Sequence, residues 1–394
     1  MDGTGLTMAE AVFWLSLLLL AYTFAGYPLL VAAWARLRPR PLRPLPAWTP
    51  RVAIVVVMHD EAPRVEAKLR SCLAQDYPAA RLRVLVACDG CADDTARRVG
   101  GFSDPRVTLL EFARRRGKAA CLNDAVASCD EEVIVFTDAR QALDPAAVRW
   151  LVHGLSDPAV AAVSGELVFR GDGVQGFGQG VDAYWRYEKF IRRAEAAVHS
   201  VPGVTGALYA LRRDAWRPIP PQVVLDDVIV PMQACIAGRR VVFEARALAF
   251  DEPARDAATE RRRKVRTLAG NFQLLTLMPE LLAPWRNPIA LQFVSHKVLR
   301  LLAPWAMLAL LAANAVLAAG SPGYALALGL QVLLYALPLL ALAGPRLREW
   351  RVVRVAQAFV ALNGFAVLGL LEFLTNRRVH LWRTAASSGG EGRA

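Results

Sequence analysis

Signatures of several protein classes are missing from this sequence of 394 residues. Cys88 and Cys91 have no second CxxC pair to complete a zinc site, and no zinc-finger, helix-turn-helix or RRM-like pattern appears. A signal peptide would carry Lys or Arg ahead of its apolar run, and none precedes the first apolar run here. We therefore expect no nucleic-acid partner, and we interpret the six cysteines, all between residues 72 and 235, as reduced thiols of a cytoplasmic domain.

Familiar phosphate-binding loops are also absent. Residues 114–118 (RRRGK) lack the upstream Gly and the following Ser/Thr of a Walker A loop, and the GxGxxG match at 171–176 opens no clear helix. The RRRGK cluster stands directly before a predicted helix, so its cations and the free backbone N–H groups suit an anionic group. A solvated charge run explains the same residues equally well.

Apolar segments are abundant at both ends of the chain. The composition is 55% hydrophobic with a formal net charge of +12, a pairing typical of a membrane protein with basic cytoplasmic edges. Runs at 11–34, 301–319, 324–343 and 355–374 are each long enough to cross a bilayer. Arginines follow the first run, which predicts an outside N-terminus and a cytoplasmic domain on the inner (plasma) membrane. Arginines in the C-terminal tail contradict the same rule and leave the side of the tail open (Arg377, Arg378 and Arg383).

These segments divide the chain into six parts. Residues 1–36 form a transmembrane helix, 37–50 a linker rich in Pro and Arg, and 51–284 the cytoplasmic domain. Residues 285–300 mix apolar side chains with His296, Lys297 and Arg300, which is typical of an interfacial helix. Residues 301–375 hold three transmembrane helices, and residues 376–394 form the tail.

Short strands alternate with helices in the cytoplasmic domain. Strands are predicted at 51–57, 81–88, 107–111 and 133–140, with intervening helices at 61–75, 93–100 and 118–128. Later segments predict a helix at 182–197, a turn and strand at 204–213, and a strand at 241–244. The alternation predicts an α/β fold with a mainly parallel sheet.

Acidic residues follow three of these strands. Glu61, Asp89 and Asp138 lie in the turns after the first, second and fourth strands. Ligands collect at the carboxyl ends of strands in an open α/β sheet, so these acids are candidates for a substrate or metal site, with helix capping as the alternative for each. Asp226 and Asp227 stand between two apolar runs, where burial is costly unless they serve a metal, a proton or a hydrogen-bond network.

Seven motifs in a fixed order resemble those of the membrane-bound family 2 glycosyltransferases, which include cellulose, hyaluronan and poly-N-acetylglucosamine synthases. They are HDE (59–61), CDGCADD (88–94), RGKAACLN (116–123), VFTDAR (135–140), TGALYALRR (205–213), LDD (225–227) and RRKVRTLAGN (262–271). The resemblance implies a GT-A fold, in which a mixed and mainly parallel sheet is accompanied by α-helical transmembrane segments. It also implies a hexosyltransferase that uses a UDP-sugar with Mg²⁺ or Mn²⁺.

The resemblance also implies roles for individual residues. Glu61 and Asp89 would hold the uridine, and Lys118 would lie near the diphosphate. Asp138 matches the first acid of the DxD motif, which ligates the metal on the diphosphate oxygens. Asp227 matches the final acid of the TED motif, the general base that deprotonates the acceptor hydroxyl.

Two further parts of the site follow from the same motifs. Asp226 would orient the base or the acceptor. Arg263 and Arg266 match the Gln and Arg of the QxxRW motif, near the diphosphate and the acceptor terminus.

The sequence departs from the family pattern at several places in these motifs, including His59-Asp60 in place of the usual Tyr-Asn. Arg140 stands in place of the second DxD acid, Arg263 in place of Gln, and Thr267 in place of the Trp that stacks on the growing chain in processive enzymes. We predict that the protein lies among membrane lipids and transfers a sugar, with inversion, from a UDP-sugar to a growing cell-surface polysaccharide or glycan acceptor. The alternatives are transfer of a single sugar to a lipid acceptor, and a non-catalytic or transport protein that keeps the fold.

Overall fold

A computed structural model describes residues 7–45, 47–170, 177–252, 257–344, 347, 350–376 and 381. The GxGxxG match at 171–176 and the tail arginines lie outside these residues. The strands are β1 (Val52–Met58), β2 (Leu82–Asp89), β3 (Val107–Phe112), β4 (Val133–Asp138), β5 (Ala142–Leu143), β6 (Val160–Phe169), β7 (Tyr209–Arg212) and β8 (Arg240–Asp251). The helices are α1 (Met8–Ala21), α2 (Tyr27–Leu37), α3 (Val65–Leu73), α4 (Thr95–Gly100), α5 (Lys118–Ala127), α6 (Ala147–Leu155), α7 (Phe177–Val198), α8 (Asp226–Ile236), α9 (Ala257–Leu277), α10 (Ala290–Phe293), α11 (Leu299–Leu317), α12 (Pro322–Ala343) and α13 (Arg351–Thr375).

The first half of the sheet is parallel. Across the described chain the strand order is β3-β2-β1-β4-β7-β6-β8-β5, and β1 pairs in parallel with both β2 and β4. Every residue of β1 is buried, as expected for a central strand of Val and Ile covered on both faces. The predicted alternation of strands and helices is confirmed here. Parallel pairing places the carboxyl ends of β1, β2 and β4 at one edge of the sheet.

The second half of the sheet is mixed. β7 is antiparallel to β4 and β6, whereas β6 is parallel to β8. β6 is not predicted from the sequence, because its Ala, Ser and Gly residues give a weak strand signal. β8 extends well beyond the predicted 241–244, since the ion pair of Glu244 with Arg246 interrupts the apolar pattern while the backbone stays extended.

Helices cover both faces of the sheet. One apolar cluster packs α5 and α8 against the first face, with side chains such as Leu122 and Ile229. A second cluster packs α3 and α6 against the other face, with side chains such as Leu69 and Leu151. The sheet is therefore the middle of three layers, and the predicted α/β class is confirmed.

Within the residues that the structure describes, four helical segments are long and apolar enough to cross a membrane. They are Met8–Leu37, Ala290–Leu317, Pro322–Leu340 and Arg351–Thr375, and each overlaps one predicted span. A π-helical turn at Val294–Val298 joins α10 to α11 without a break. Most of the segment predicted as a separate interfacial helix, 285–300, is therefore the first part of a longer helix. Its His296 bonds to Glu188 and Glu195 of α7.

The last of these helices packs closely against α9 at a glycine. A Cβ atom added at Gly369 of α13 would lie 2.7 Å from Cβ of Leu268 and 3.1 Å from the backbone N of Ala269. Only a residue without a side chain allows α13 to approach α9 this closely. The contact joins a membrane-length helix directly to the sheet domain.

Substituting Gly369 tests this contact. We expect Gly369→Ala to destabilise the protein by about 1–3 kcal/mol, the usual cost of overpacking, and to lower the melting temperature in detergent. Gly364→Ala is the matched control, since a Cβ atom added there meets nothing within 4 Å. Equal melting temperatures for the two variants would contradict the close approach of α13 to α9.

Candidate active site

A lysine and two carboxylates meet at the edge of the sheet. Lys118, the first residue of α5, places Nζ 2.9 Å from Oδ1 of Asp138 and 3.1 Å from Oδ2 of Asp226. Asp138 ends β4, and Asp226 begins α8. Burial lowers the pKa of Lys118, but the two carboxylates outweigh it, so the pKa is raised and the ammonium stays charged. The structure thus brings together residues from three separate sequence motifs.

Asp227 is the second residue of α8 and lies close against a glycine. A Cβ atom added at Gly206 would lie 3.2 Å from Oδ2 of Asp227. Burial and the neighbouring Asp226 raise the pKa of Asp227 to about 6, against the opposing effect of Lys118. Asp227 therefore exchanges a proton close to neutral pH. We call Asp138, Asp226 and Asp227 the carboxylate cluster.

Asp89 shapes the loop that precedes α5. Its buried carboxylate accepts hydrogen bonds from the backbone N–H groups of Arg116, at 2.7 Å, and Gly117, at 2.9 Å. Gly90 has a φ of +59°, and a Cβ atom there would lie 2.4 Å from the backbone N of Arg115. The turn after β2 and the RRRG loop are therefore in direct contact. This contact fixes the backbone of the run before α5, whereas the side chains of Arg114 and Arg116 are exposed to solvent.

The basic run 261–266 lies on α9, and its two predicted site residues face different groups. Arg266 lies close enough to the carboxylate cluster for its charge to interact with all three acids. Arg263 is exposed and interacts with Arg140 and Asp251 instead. The structure therefore brings Arg266, but not Arg263, to the carboxylate cluster.

A second polar group lies behind Asp138, and sequence reasoning missed most of it. Arg140 pairs with Asp251, at the end of β8, at 2.6 Å, and Asp251 also accepts a hydrogen bond of 2.8 Å from Gln141. Lys68 is buried, and its Nζ donates to Oγ1 of Thr137 and to the carbonyl oxygen of Gln141, each at 2.7 Å. A lysine on the otherwise apolar face of α3 is the sequence signal for this group.

Glu61 makes no hydrogen bond or ion pair with the carboxylate cluster in the described part of the chain. Its carboxylate pairs with Arg64. In the same turn, His59, Asp60 and Cys91 place their ligand atoms within 4.8 Å of one another. All six cysteines are free, as the prediction of reduced thiols requires.

Asp138 has the chemistry to hold a divalent metal. Its side chain is 43% exposed, and among the described residues only its Oδ1 takes part in a hydrogen bond. Oδ2 of Asp226 is buried and, in the described part of the protein, has the ion pair with Lys118 but no hydrogen bond of good geometry. Mg²⁺ is commonly held by one or two carboxylates together with substrate phosphates. The residues present therefore fit the predicted Mg²⁺ or Mn²⁺, although Arg140 adds no oxygen ligand.

Family comparison agrees with this arrangement. Residues 50–270, more than half of the chain, match the model described as glycosyltransferase like family 2. The chain belongs to this family. Family membership favours the predicted enzyme over the alternative of a non-catalytic or transport protein.

Curated relatives match parts of the chain. An N-acetylglucosaminyltransferase from Bradyrhizobium elkanii is 33% identical over 123 residues, which are 30% of this chain and 67% of that protein. An N-acetylglucosaminyltransferase from Azorhizobium caulinodans is 26% identical over 176 residues, 43% of this chain and 44% of that protein. The probable glycosyltransferase YdaM of Bacillus subtilis is 28% identical over 137 residues, 32% of this chain and 33% of that protein. The chain thus spans between a third and two thirds of these relatives.

One solved structure matches nearly the whole chain. The mannosyltransferase PcManGT from Pyrobaculum calidifontis, solved in complex with GDP-Man and Mn²⁺, has a TM-score of 0.69 and 26% identity. The match covers 94% of this chain and 99% of that protein. The predicted GT-A fold is therefore confirmed.

Replacing Asp89 tests its role in holding the loop before α5. Asp89→Asn leaves one backbone N–H without its acceptor, and we expect this to destabilise the protein by about 1–3 kcal/mol. The melting temperature of the purified protein measures the effect. Asp94→Asn is the control, because Asp94 is exposed in the same turn and pairs only with Arg97 on its own helix. An unchanged melting temperature for Asp89→Asn would refute the role.

Proposed function

We propose that this protein is an inverting glycosyltransferase of the inner (plasma) membrane that moves a sugar from a UDP-sugar to a glycan acceptor at the cytoplasmic membrane surface. The observation that carries the proposal is the carboxylate cluster around Lys118, with an acid of raised pKa at the carboxyl edge of the sheet. The relatives named N-acetylglucosaminyltransferase support UDP-N-acetylglucosamine as the donor. The GDP-Man complex of PcManGT makes GDP-mannose the donor to test beside it.

The donor binds along the edge formed by β1, β2 and β4. Lys118 and Arg266 attract its diphosphate, and Asp138 supplies an oxygen ligand to Mg²⁺ or Mn²⁺. The metal, when bound, offsets the negative charge that gathers on the departing nucleoside diphosphate. Glu61 lies beside the uridine. Asp89 forms the pocket wall there, since both of its oxygens already accept backbone N–H groups.

Asp227 acts as the general base. The acceptor hydroxyl oxygen attacks C1 of the donor sugar from the face opposite the diphosphate, so the new C1–O bond forms as the old C1–O bond to phosphate breaks. The hydroxyl proton passes to Asp227, and the bonding electrons leave with the nucleoside diphosphate. One displacement inverts the configuration at C1. Asp226, held by Lys118, keeps the first turn of α8 in position.

The acceptor side lacks the aromatic platform of processive enzymes at residue 267. Thr267 is exposed, and its hydroxyl donates to the carbonyl oxygen of Arg263 at 3.0 Å, within the same helix. This observation favours the alternative in which a single sugar is transferred to a lipid-linked acceptor. Product length on a gel separates this alternative from chain elongation.

A donor screen with an Asp227 variant tests the proposed chemistry. Purified protein with Mn²⁺ should release UDP from UDP-N-acetylglucosamine faster than GDP from GDP-mannose. Asp227→Asn should lower turnover by roughly 10²–10⁴-fold, the range that general-base catalysis contributes, and leave UDP binding largely intact. Asp214→Asn is the control, because Asp214 is an exposed acid that pairs with Arg239. Full activity in Asp227→Asn would remove Asp227 as the base.

The pH dependence tests the same residue independently. Asp227 must be ionised to accept a proton, so kcat/KM should fall tenfold per pH unit as the pH drops below about 6. Removing the adjacent negative charge with Asp226→Asn should lower the pKa of Asp227 and move this limb to lower pH. A limb that stays in place in Asp226→Asn would assign the titration to another group.

A further inference from the structure

Two cations face each other where the sheet domain meets the membrane helices. Arg192 of α7 donates to Oγ1 of Thr205 and to Oγ of Ser164, both at 2.7 Å, and these partners are neutral. Lys297 lies in the π-helical turn Val294–Val298 and makes no hydrogen bond or ion pair among the described residues. Both side chains lie at Gly203, because Nη2 of Arg192 is 3.5 Å from the carbonyl oxygen of Gly203 and a Cβ atom added at Gly203 would lie 3.8 Å from Nζ of Lys297. Two cations beside one acid, Asp227, leave an excess of positive charge that favours binding of an anion.

Nearby acids on α7 are already paired with other cations. Glu188 binds His296 and Arg300, and Glu195 binds His296 and the hydroxyl of Tyr27. Within the described chain, the acid left beside the two cations is Asp227, whose charge interacts with both of them. An anion that binds here therefore lies next to the base.

Two glycines lie against Lys297 and Asp227. A Cβ atom added at Gly203 would lie 3.8 Å from Nζ of Lys297, and one at Gly206 would lie 3.2 Å from Oδ2 of Asp227. At Gly203 and Gly206 the chain therefore presents backbone, without a side chain, to Lys297 and Asp227. An acceptor whose hydroxyl lay at Asp227 would direct its other end toward Lys297.

We propose that Arg192 and Lys297 bind the phosphate group of a lipid-linked acceptor and thereby hold its reactive hydroxyl at Asp227. The inference rests on the proposed function, because it names the class of acceptor that the same site takes. A lipid carries this phosphate, since Lys297 belongs to a helix long and apolar enough to cross a membrane. The donor diphosphate has its own cations, Lys118 and Arg266.

Binding of three probes to the full-length protein in neutral detergent tests the site. Isothermal titration calorimetry compares farnesyl phosphate, farnesol and inorganic phosphate. We expect farnesyl phosphate to bind more tightly than either other probe, and Lys297→Gln to weaken its binding roughly 10–100-fold, the loss of one charged hydrogen bond. Lys297→Arg should retain binding. Arg192 is left unchanged because it also links Thr205 to Ser164.

Lys189→Gln is the matched control, because Lys189 is a cation of α7 that pairs with Glu166. This variant should bind farnesyl phosphate as tightly as the wild type does. UDP binding, measured on every variant, reports whether the donor side is intact. Equal farnesyl phosphate affinity in Lys297→Gln, or farnesol binding as tight as farnesyl phosphate, would overturn the proposal. Inorganic phosphate that binds as tightly as the lipid would overturn the lipid assignment.

The same preparations separate this inference from the proposed function. A protein that releases UDP from a UDP-sugar but binds farnesyl phosphate no better than farnesol contradicts only the acceptor class. A protein that binds farnesyl phosphate through Lys297 but turns over no nucleotide-sugar contradicts the proposed reaction and leaves the phosphate-lipid site standing.

Discussion

The shared ion pair of Lys118 is the interaction on which the candidate active site depends. Two carboxylates, one ending a strand and one starting a helix, converge on a single ammonium group. Without that cation, carboxylates at such short range repel each other by several kcal/mol at the dielectric of a protein surface, about 4 kcal/mol at 4 Å. Lys118 in turn follows a loop that Asp89 fixes through two backbone hydrogen bonds. The geometry of this edge of the sheet therefore depends on two linked sets of contacts. Asp89, at the end of β2, holds the loop before α5 by hydrogen bonds, and Lys118, at the start of α5, pairs with Asp138 and Asp226.

A second set of charges connects the sheet domain to the helices that are long and apolar enough to cross a membrane. Glu188 and Glu195 of α7 bind His296 and Arg300, which lie on the helical segment Ala290–Leu317. Burying ions is costly unless each one is paired, so these contacts specify one arrangement of α7 against that segment. This arrangement brings Arg192 and Lys297 close enough to Asp227 for their charges to interact with it.

Much of the site follows from sequence because local pattern and topology agree. The buried strands of Val and Ile are recognisable by composition, and parallel pairing then brings Asp89 and Asp138 to one edge. Asp251, Arg192 and the β6 strand are not recognisable in this way. Asp251 and Arg192 reach their partners only through packing between segments far apart in sequence, and β6 has too few branched or aromatic residues to signal a strand.

The glycine contact between α13 and α9 has a consequence for the membrane itself. A membrane helix adjusts its tilt to match the hydrocarbon thickness of the surrounding bilayer. Gly369 of α13 packs on Leu268, two residues beyond Arg266 on α9. In a bilayer, a change in thickness would therefore bear on the position of Arg266, so lipid composition would be one of the variables that set the geometry around the proposed diphosphate contact.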